Sequence, residues 1–213
     1  MELATTPVTA VNPAEHDRFV LRQRWAPMVN RYEFYVPGDG GAPEVPVCFV
    51  QQKRFKFKED IRFYTDSSKT VEVMRIKARQ RFDPRARYDI TDSNGQRIGE
   101  IQKVFGESLL RSTYRIYDAA GAETAKITEN SLVVAIIRRT VGFIPWVGAV
   151  AEWLPIPYHF VFKRGEYELG ENRRRLFKIR DIYDIDMSGD PERTLDRRLV
   201  LAAVVGMDAL QAR

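Results

Sequence analysis

Cysteine is nearly missing from this chain. One residue, Cys48, in 213 excludes an internal disulfide framework and a thiolate zinc cluster alike. It reads as a small buried hydrophobe on a strand rather than a reactive thiol. Histidine is almost as scarce. His16 falls in a proline-containing N-terminal stretch, and His159 lies between two aromatics on an apparent strand. A histidine-based triad would need His159 beside a serine or Cys48, and the chain has no nucleophile-elbow pattern, no HExxH and no glycine-rich phosphate loop. Neighbouring acids such as Glu59 and Asp60 point to opposite sides of a strand. No catalytic residues are therefore assigned, the balance is against an enzyme, and no cofactor is implied apart from the calcium alternative weighed below.

Long hydrophobic runs are also lacking. Leu199 to Met207 is uninterrupted but short, and Val141 to Phe160 is broken by Glu152 and three prolines. Neither reaches the roughly 18 residues needed to span a bilayer. The N-terminus has an early Glu2 and no apolar core of a signal peptide. The expectation is a cytoplasmic protein with peripheral contact to membranes. A formal charge of +5 is too small to indicate nucleic acid by itself, so distribution matters more.

What the chain does contain is a sequence rich in strand formers, with 44% hydrophobic residues, twelve Phe and nine Tyr. Residues 1–18 read as a flexible leader, and 19–213 as a single domain. Tyr32–Val36 is a strand, followed by the punctuated loop PGDGGAPEVP. Val47 opens a meander. In Lys53–Lys58, Phe55 and Phe57 alternate with Arg54, Lys56 and Lys58. In Val71–Phe82, Met74, Ile76 and Ala78 share one face while Arg75, Lys77, Arg79 and Arg81 share the other. Period two is the signature of a strand. Ser131–Thr140 reads as a further buried strand, 158–169 as a hairpin, and 176–187 as one or two final strands.

A repeat stands in the middle. Tyr88–Ile101 (YDITDSNGQRIGEI) aligns with Tyr114–Ile127 (YRIYDAAGAETAKI), matching Tyr88 to Tyr114, Asp92 to Asp118, Gly95 to Gly121 and Ile101 to Ile127. Each copy is a strand, an Asp/Gly turn and a strand, which suits a barrel or sandwich assembled from hairpins. At the C-terminus the period changes. Asp190 is placed as an N-cap, Pro191 as the first helical residue and Glu192 in the first turn, predicting a helix from Asp190 to about Leu210. Around Leu199, Leu201, Val204 and Val205 it is apolar on every side, so it must be enclosed.

Many strands around one hydrophobic helix resemble the LURP-one-related and phospholipid-scramblase-like group, which shares the Tubby C-terminal fold. The resemblance rests on the two hairpins, on Phe177-Lys178-Ile179 and on the closing Asp196–Asp208 segment, and covers roughly Phe19 to Leu210. It implies a mainly β fold, a closed barrel of about twelve strands around the C-terminal helix. Tubby relatives are associated with phosphoinositide binding and scramblases with calcium-dependent lipid translocation. The scramblases' cysteine-rich stretch has no counterpart here.

Two constellations bear on function. Between Lys53 and Arg87 lie twelve basic residues and five acidic ones, so Arg54, Lys56, Lys58, Arg75, Lys77, Arg79 and Arg81 are candidates for contacting an anionic phospholipid or phosphoinositide surface. A solvated barrel face is the plainer account of them, and no nucleic-acid-binding motif accompanies them. Second, Asp184, Asp186, Ser188, Asp190 and Glu192 follow the alternate-oxygen spacing of a calcium loop, with Gly189 at the sixth position. Leu195 stands where a bidentate Glu belongs, and Pro191 interrupts. A strand end, a turn and a helix cap account for the same residues. Val141–Pro157, with Trp146, Trp153 and the flanking Arg138 and Arg139, reads as a loop over a barrel end or as a membrane- or partner-facing surface. The resulting expectation is a non-enzymatic peripheral module that binds lipid or an unidentified protein partner. The alternatives are a calcium-responsive scramblase and a purely structural or regulatory interaction domain.

Overall fold

Alternation of apolar and polar side chains builds this molecule strand by strand. Its computed structural model describes residues 11–26, 29–53, 60–79, 87–104, 112–130, 159–175 and 182–211. Twelve antiparallel strands follow in chain order: β1 (Arg18–Ala26), β2 (Val29–Pro37), β3 (Pro43–Lys53), β4 (Asp60–Tyr64), β5 (Glu72–Ala78) and β6 (Arg87–Asp92). They continue as β7 (Arg97–Lys103), β8 (Thr113–Asp118), β9 (Glu123–Glu129), β10 (His159–Arg164), β11 (Tyr167–Arg174) and β12 (Ile182–Asp186). Each pairs with its sequence neighbours, and β1 pairs with β12 to close the barrel. Closure leaves no edge to be capped.

The repeated hairpins are β6–β7 and β8–β9. Their registers correspond, with Tyr88 opposite Ile101 and Tyr114 opposite Ile127. Their turns share one chemistry. The Asp92 side chain accepts the Gln96 N–H at 2.8 Å, and the Asp118 side chain accepts the Ala122 N–H at 2.8 Å. Gly95 and Gly121 take φ of 81° and 88°, a region that L side chains disfavour.

Inside the barrel runs α1 (Arg197–Gln211). Every large side chain from Leu199 to Met207 is at most 3% exposed. Leu199, Leu201, Val204 and Val205 join one core with Phe34, Phe63, Ile90, Ile116 and Phe162 from the strands. A Cβ on Gly99 of β7 would meet the Tyr117 carbonyl oxygen of β8 and sit 2.9 Å from a Leu199 methyl of the helix, so a glycine there is a packing requirement.

The helix starts six residues later than its sequence signals suggest, at Arg197 rather than Pro191. Asp190 does not cap it. Its carboxylate instead accepts the N–H groups of Thr194 and Leu195, and Arg193 takes a φ of 52°, incompatible with a helix. Asp196 opens α1, accepting the Arg198 N–H at 2.8 Å on its side chain and the Leu199 N–H on its carbonyl.

The described part of the expected leader is built into the fold. Pro13–Glu15 form a 3₁₀ turn capped by Asn12, Val11 packs on the core, and Asp17 pairs with Arg193 and Arg197. The expected strand 131–140, the apolar segment 141–157 and Phe177-Lys178-Ile179 lie outside the described residues.

Candidate functional site

On the outer face of β5, Arg75 and Lys77 project away from the core, as their alternation with Met74 and Ile76 requires. The arginines are not free cations. Arg75 donates from Nε to Glu72 at 2.9 Å and lies 3.5 Å from Asp60, and Arg62 spans the same two carboxylates. Just beyond the strand, Arg79 reaches Asp89 at 2.7 Å and Glu100 at 2.8 Å. Glu100 is the hub of this cluster. Its side chain is 4% exposed, and Arg97 and Arg87 also reach it, at 3.0 and 3.3 Å. Carboxylate hydrogen bonds raise the pKa of Arg62, Arg75 and Arg79 above the ordinary arginine value. Lys77 is exposed and has no ion pair among the described residues. Arg54, Lys56, Lys58 and Arg81 lie outside the described residues.

The acidic segment spreads its carboxylates rather than gathering them. Asp184 is held by Arg175 in a two-point pair at 2.6 and 2.8 Å. Asp186 meets Arg18 at 3.1 Å and accepts the Ser188 N–H. Asp190 turns inward, 4% exposed, while Glu192 faces solvent. Burial pushes the Asp190 carboxyl up, but hydrogen bonds from Thr194, the Leu195 N–H and Arg197 outweigh it and hold the group below its ordinary range. Asp186 behaves likewise, through Ser188 and Arg18. Among the described residues no three His, Cys, Asp or Glu side chains converge as a metal site would need.

Cys48 is buried on β3, and burial pushes its thiol pKa far up. His159 opens β10, with Nε2 2.7 Å from Glu171 and Nδ1 3.0 Å from Asn130.

Clefts gather residues that the sequence keeps apart. One, of about 370 Å³, lies where the turns of the repeated hairpins meet the start of α1, between Asp92, Asp118, Thr194, Asp196 and Arg198. Its aspartates are occupied by their own turns and by Arg198. Another, of about 280 Å³, lies on the barrel wall between Arg24, Arg31, Glu33, Phe49, Gln51, Ser67 and Lys69. No local pattern in the sequence marks this cleft. The β1–β2 register puts Arg24 opposite Arg31, but nothing local brings Lys69 to Gln51.

Comparison with known families decides the relationship. A family model described as LURP-one-related matches residues 47–208. The chain belongs to the LURP-one-related family. The matched span starts within β3 and ends within α1, so the β1–β2 hairpin that closes this LURP-one-related barrel lies outside it. No curated protein and no solved structure matches the chain.

Proposed function

We propose that this barrel is a non-enzymatic peripheral module that binds anionic phospholipid surfaces through one of its two ends. Family membership is consistent with a lipid- or protein-interaction module, and the reading within that range rests on the asymmetry of the ends. In an antiparallel barrel, alternate connections leave from opposite ends. The connections β2–β3, β4–β5, β6–β7, β8–β9 and β10–β11 share one end with the link into α1. These segments hold Asp39, Asp66, Glu166, Asp190, Glu192 and Asp196 against Lys69 and Arg193, and no aromatic residue.

The strand ends that flank 27–28, 54–59, 80–86, 105–111, 131–158 and 176–181 all lie at the opposite end. By sequence these six segments hold ten Lys and Arg against five Asp and Glu, together with Trp146, Trp153 and several phenylalanines. Basic residues attract an anionic leaflet at about 1 kcal/mol each near the surface, and tryptophan favours the interfacial layer. With Arg75 and Arg79 ion-paired, Arg54, Lys56 and Lys58 become the cations on which the reading depends most.

The test is co-sedimentation of the full chain with phosphatidylcholine vesicles, with and without phosphatidylserine, across a salt series and with calcium or chelator. Binding is expected only to the anionic vesicles, falling as salt screens the charges, independent of calcium and weakened in R54E/K56E/K58E. Equal binding to neutral and anionic vesicles would overturn the electrostatic account.

A further inference from the structure

An uncompensated charge stands on the outer barrel wall, two residues in from the strand ends that flank 27–28. Outward-facing residues of adjacent strands form a row across β1 to β5: Arg24 opposite Arg31, Arg31 opposite Gln51, Gln51 opposite Arg62, and Arg62 opposite Arg75. Like charges placed directly opposite destabilise an antiparallel pair unless a counter-charge is at hand. For Arg62 and Arg75 it is supplied by Asp60 and Glu72. For Arg24 it is Glu33, 3.1 Å away and 16% exposed. The same Glu33 oxygen also accepts the Tyr35 hydroxyl at 2.8 Å, and its single negative charge is matched by Arg24. Arg31 has no ion pair among the described residues and is exposed.

A second cation is brought to the same place from a distant turn. Lys69 holds a φ of 60°, a conformation uncommon for residues other than glycine, asparagine and aspartate. From there its Nζ donates to Gln51 Oε1 at 3.1 Å. Gln51 is the immediate cross-strand neighbour of Arg31. The cleft of about 280 Å³ between them is floored by Phe49 and rimmed by Ser67. After Glu33 is set against Arg24, its lining carries two positive charges, from Arg31 and Lys69.

We infer that this wall cleft is a binding site for a phosphomonoester, held between Arg31 and Lys69. A phosphomonoester carries a charge of about −1.5 to −2 at pH 7, which matches the two unbalanced cations. The planar Arg31 guanidinium can donate two parallel hydrogen bonds to phosphate oxygens, and the lysine ammonium adds a point charge. The anion also removes the repulsion between Arg24 and Arg31. The site is argued separately from the membrane reading, because it uses different residues. Its ligand is either a soluble phosphate compound or a lipid whose headgroup is a phosphomonoester.

The experiment is a titration of ¹⁵N-labelled full-length protein with inorganic phosphate and with glycerol 3-phosphate at constant ionic strength, chloride being the control anion. Saturable shifts are expected at the Ser67 and Lys69 amides and at the Arg24 and Arg31 Nε–H groups. R31Q and K69Q should each weaken the apparent affinity about tenfold, the loss expected for one charge-assisted contact. K69G separates binding from folding. It relieves the positive φ, so its melting temperature should not fall, yet it should lose affinity as K69Q does. R54E/K56E/K58E should still show saturable phosphate shifts at the Ser67 and Lys69 amides, whereas R31Q and K69Q should leave vesicle binding of the Arg54, Lys56 and Lys58 cations in place, so failure of this site and failure of the membrane reading are distinguishable.

Vesicles containing phosphatidic acid, compared with vesicles of equal charge containing phosphatidylglycerol, identify the source. A phosphatidic acid preference lost in R31Q assigns the site to a lipid headgroup, and soluble binding without that preference assigns it to a free phosphate compound. Shifts that chloride reproduces, or unchanged phosphate affinity in K69G, would overturn the inference.

Discussion

Arg197 and Asp190 meet at 2.8 Å at the acidic end of the barrel, with side chains 0% and 4% exposed. The guanidinium also reaches Asp17 at 2.8 Å and the carbonyls of Leu195 and Asp190 at 3.0 and 2.9 Å. One buried arginine therefore joins the segment before β1, the link after β12 and the first turn of α1. Breaking a buried pair from one side leaves a desolvated charge, which costs about 3–5 kcal/mol. R197M is expected to destabilise by that amount in urea denaturation with an unchanged slope. R198M, which loses an exposed pair with Asp196, should cost about 1 kcal/mol or less. Equal effects of the two substitutions would show that burial does not govern the network.

The same cluster sets the acid limit of stability. Hydrogen bonds from Arg193 and Arg197 hold Asp17 below its ordinary value of 3.8, and Asp190 is also held below it. A carboxylate with a lowered folded pKa binds fewer protons folded than unfolded. Its contribution is complete above the ordinary value and is lost as pH falls through the folded one. Melting temperature measured from pH 6 downward should hold until about pH 4 and then fall. D190N should flatten that fall while lowering stability at neutral pH. A D190N profile parallel to that of the parent would assign the acid transition to other carboxylates.

How much of this was legible in the sequence depended on range. Local patterns carried well. The matched Asp92/Gly95 and Asp118/Gly121 turns marked two hairpins, and Met74 and Ile76 marked the inner face of β5. The uniform apolarity of 199–207 required an enclosed helix. The helix start was misread because Asp190, Pro191 and Glu192 satisfy every local rule for an N-terminus. The competing interactions come from Arg197 and Asp17, the latter 180 positions away from Arg197. Charge patterns were legible in sign but not in partnership. The basic face of β5 is real, yet Asp60, Asp89 and Glu100 reach it from neighbouring strands. Arg31 and Lys69 stand far apart in the chain and meet only through the β2–β3 pairing at Gln51 and the turn after β4.

Enclosure of α1 carries the strongest expectation. Leu201 and Val204 are 0% and 3% exposed, and both belong to the core shared with the strands. Small residues between them, Ala202 and Ala203, are fully buried as well, so large groups are packed from all directions and none has open space to relax into. Truncating Leu201 to Ala removes buried methyl groups and leaves a cavity, for which about 2–4 kcal/mol is expected. Ala203→Asp should be worse. Its carboxylate would need a partner or a proton in an apolar surrounding, and the buried cation of the helix, Arg197, is already engaged by Asp17 and Asp190. Removing residues 197–213 takes away the element against which the inward faces of the strands pack. The truncated chain is expected to lose its cooperative thermal transition, because closed strands without an interior filling would leave a void that neither water nor side chains stabilise. Circular dichroism melting of the truncation, L201A and A203D beside the full chain measures all three. A soluble truncated form with a cooperative melt near that of the parent would show that the helix is peripheral to the fold.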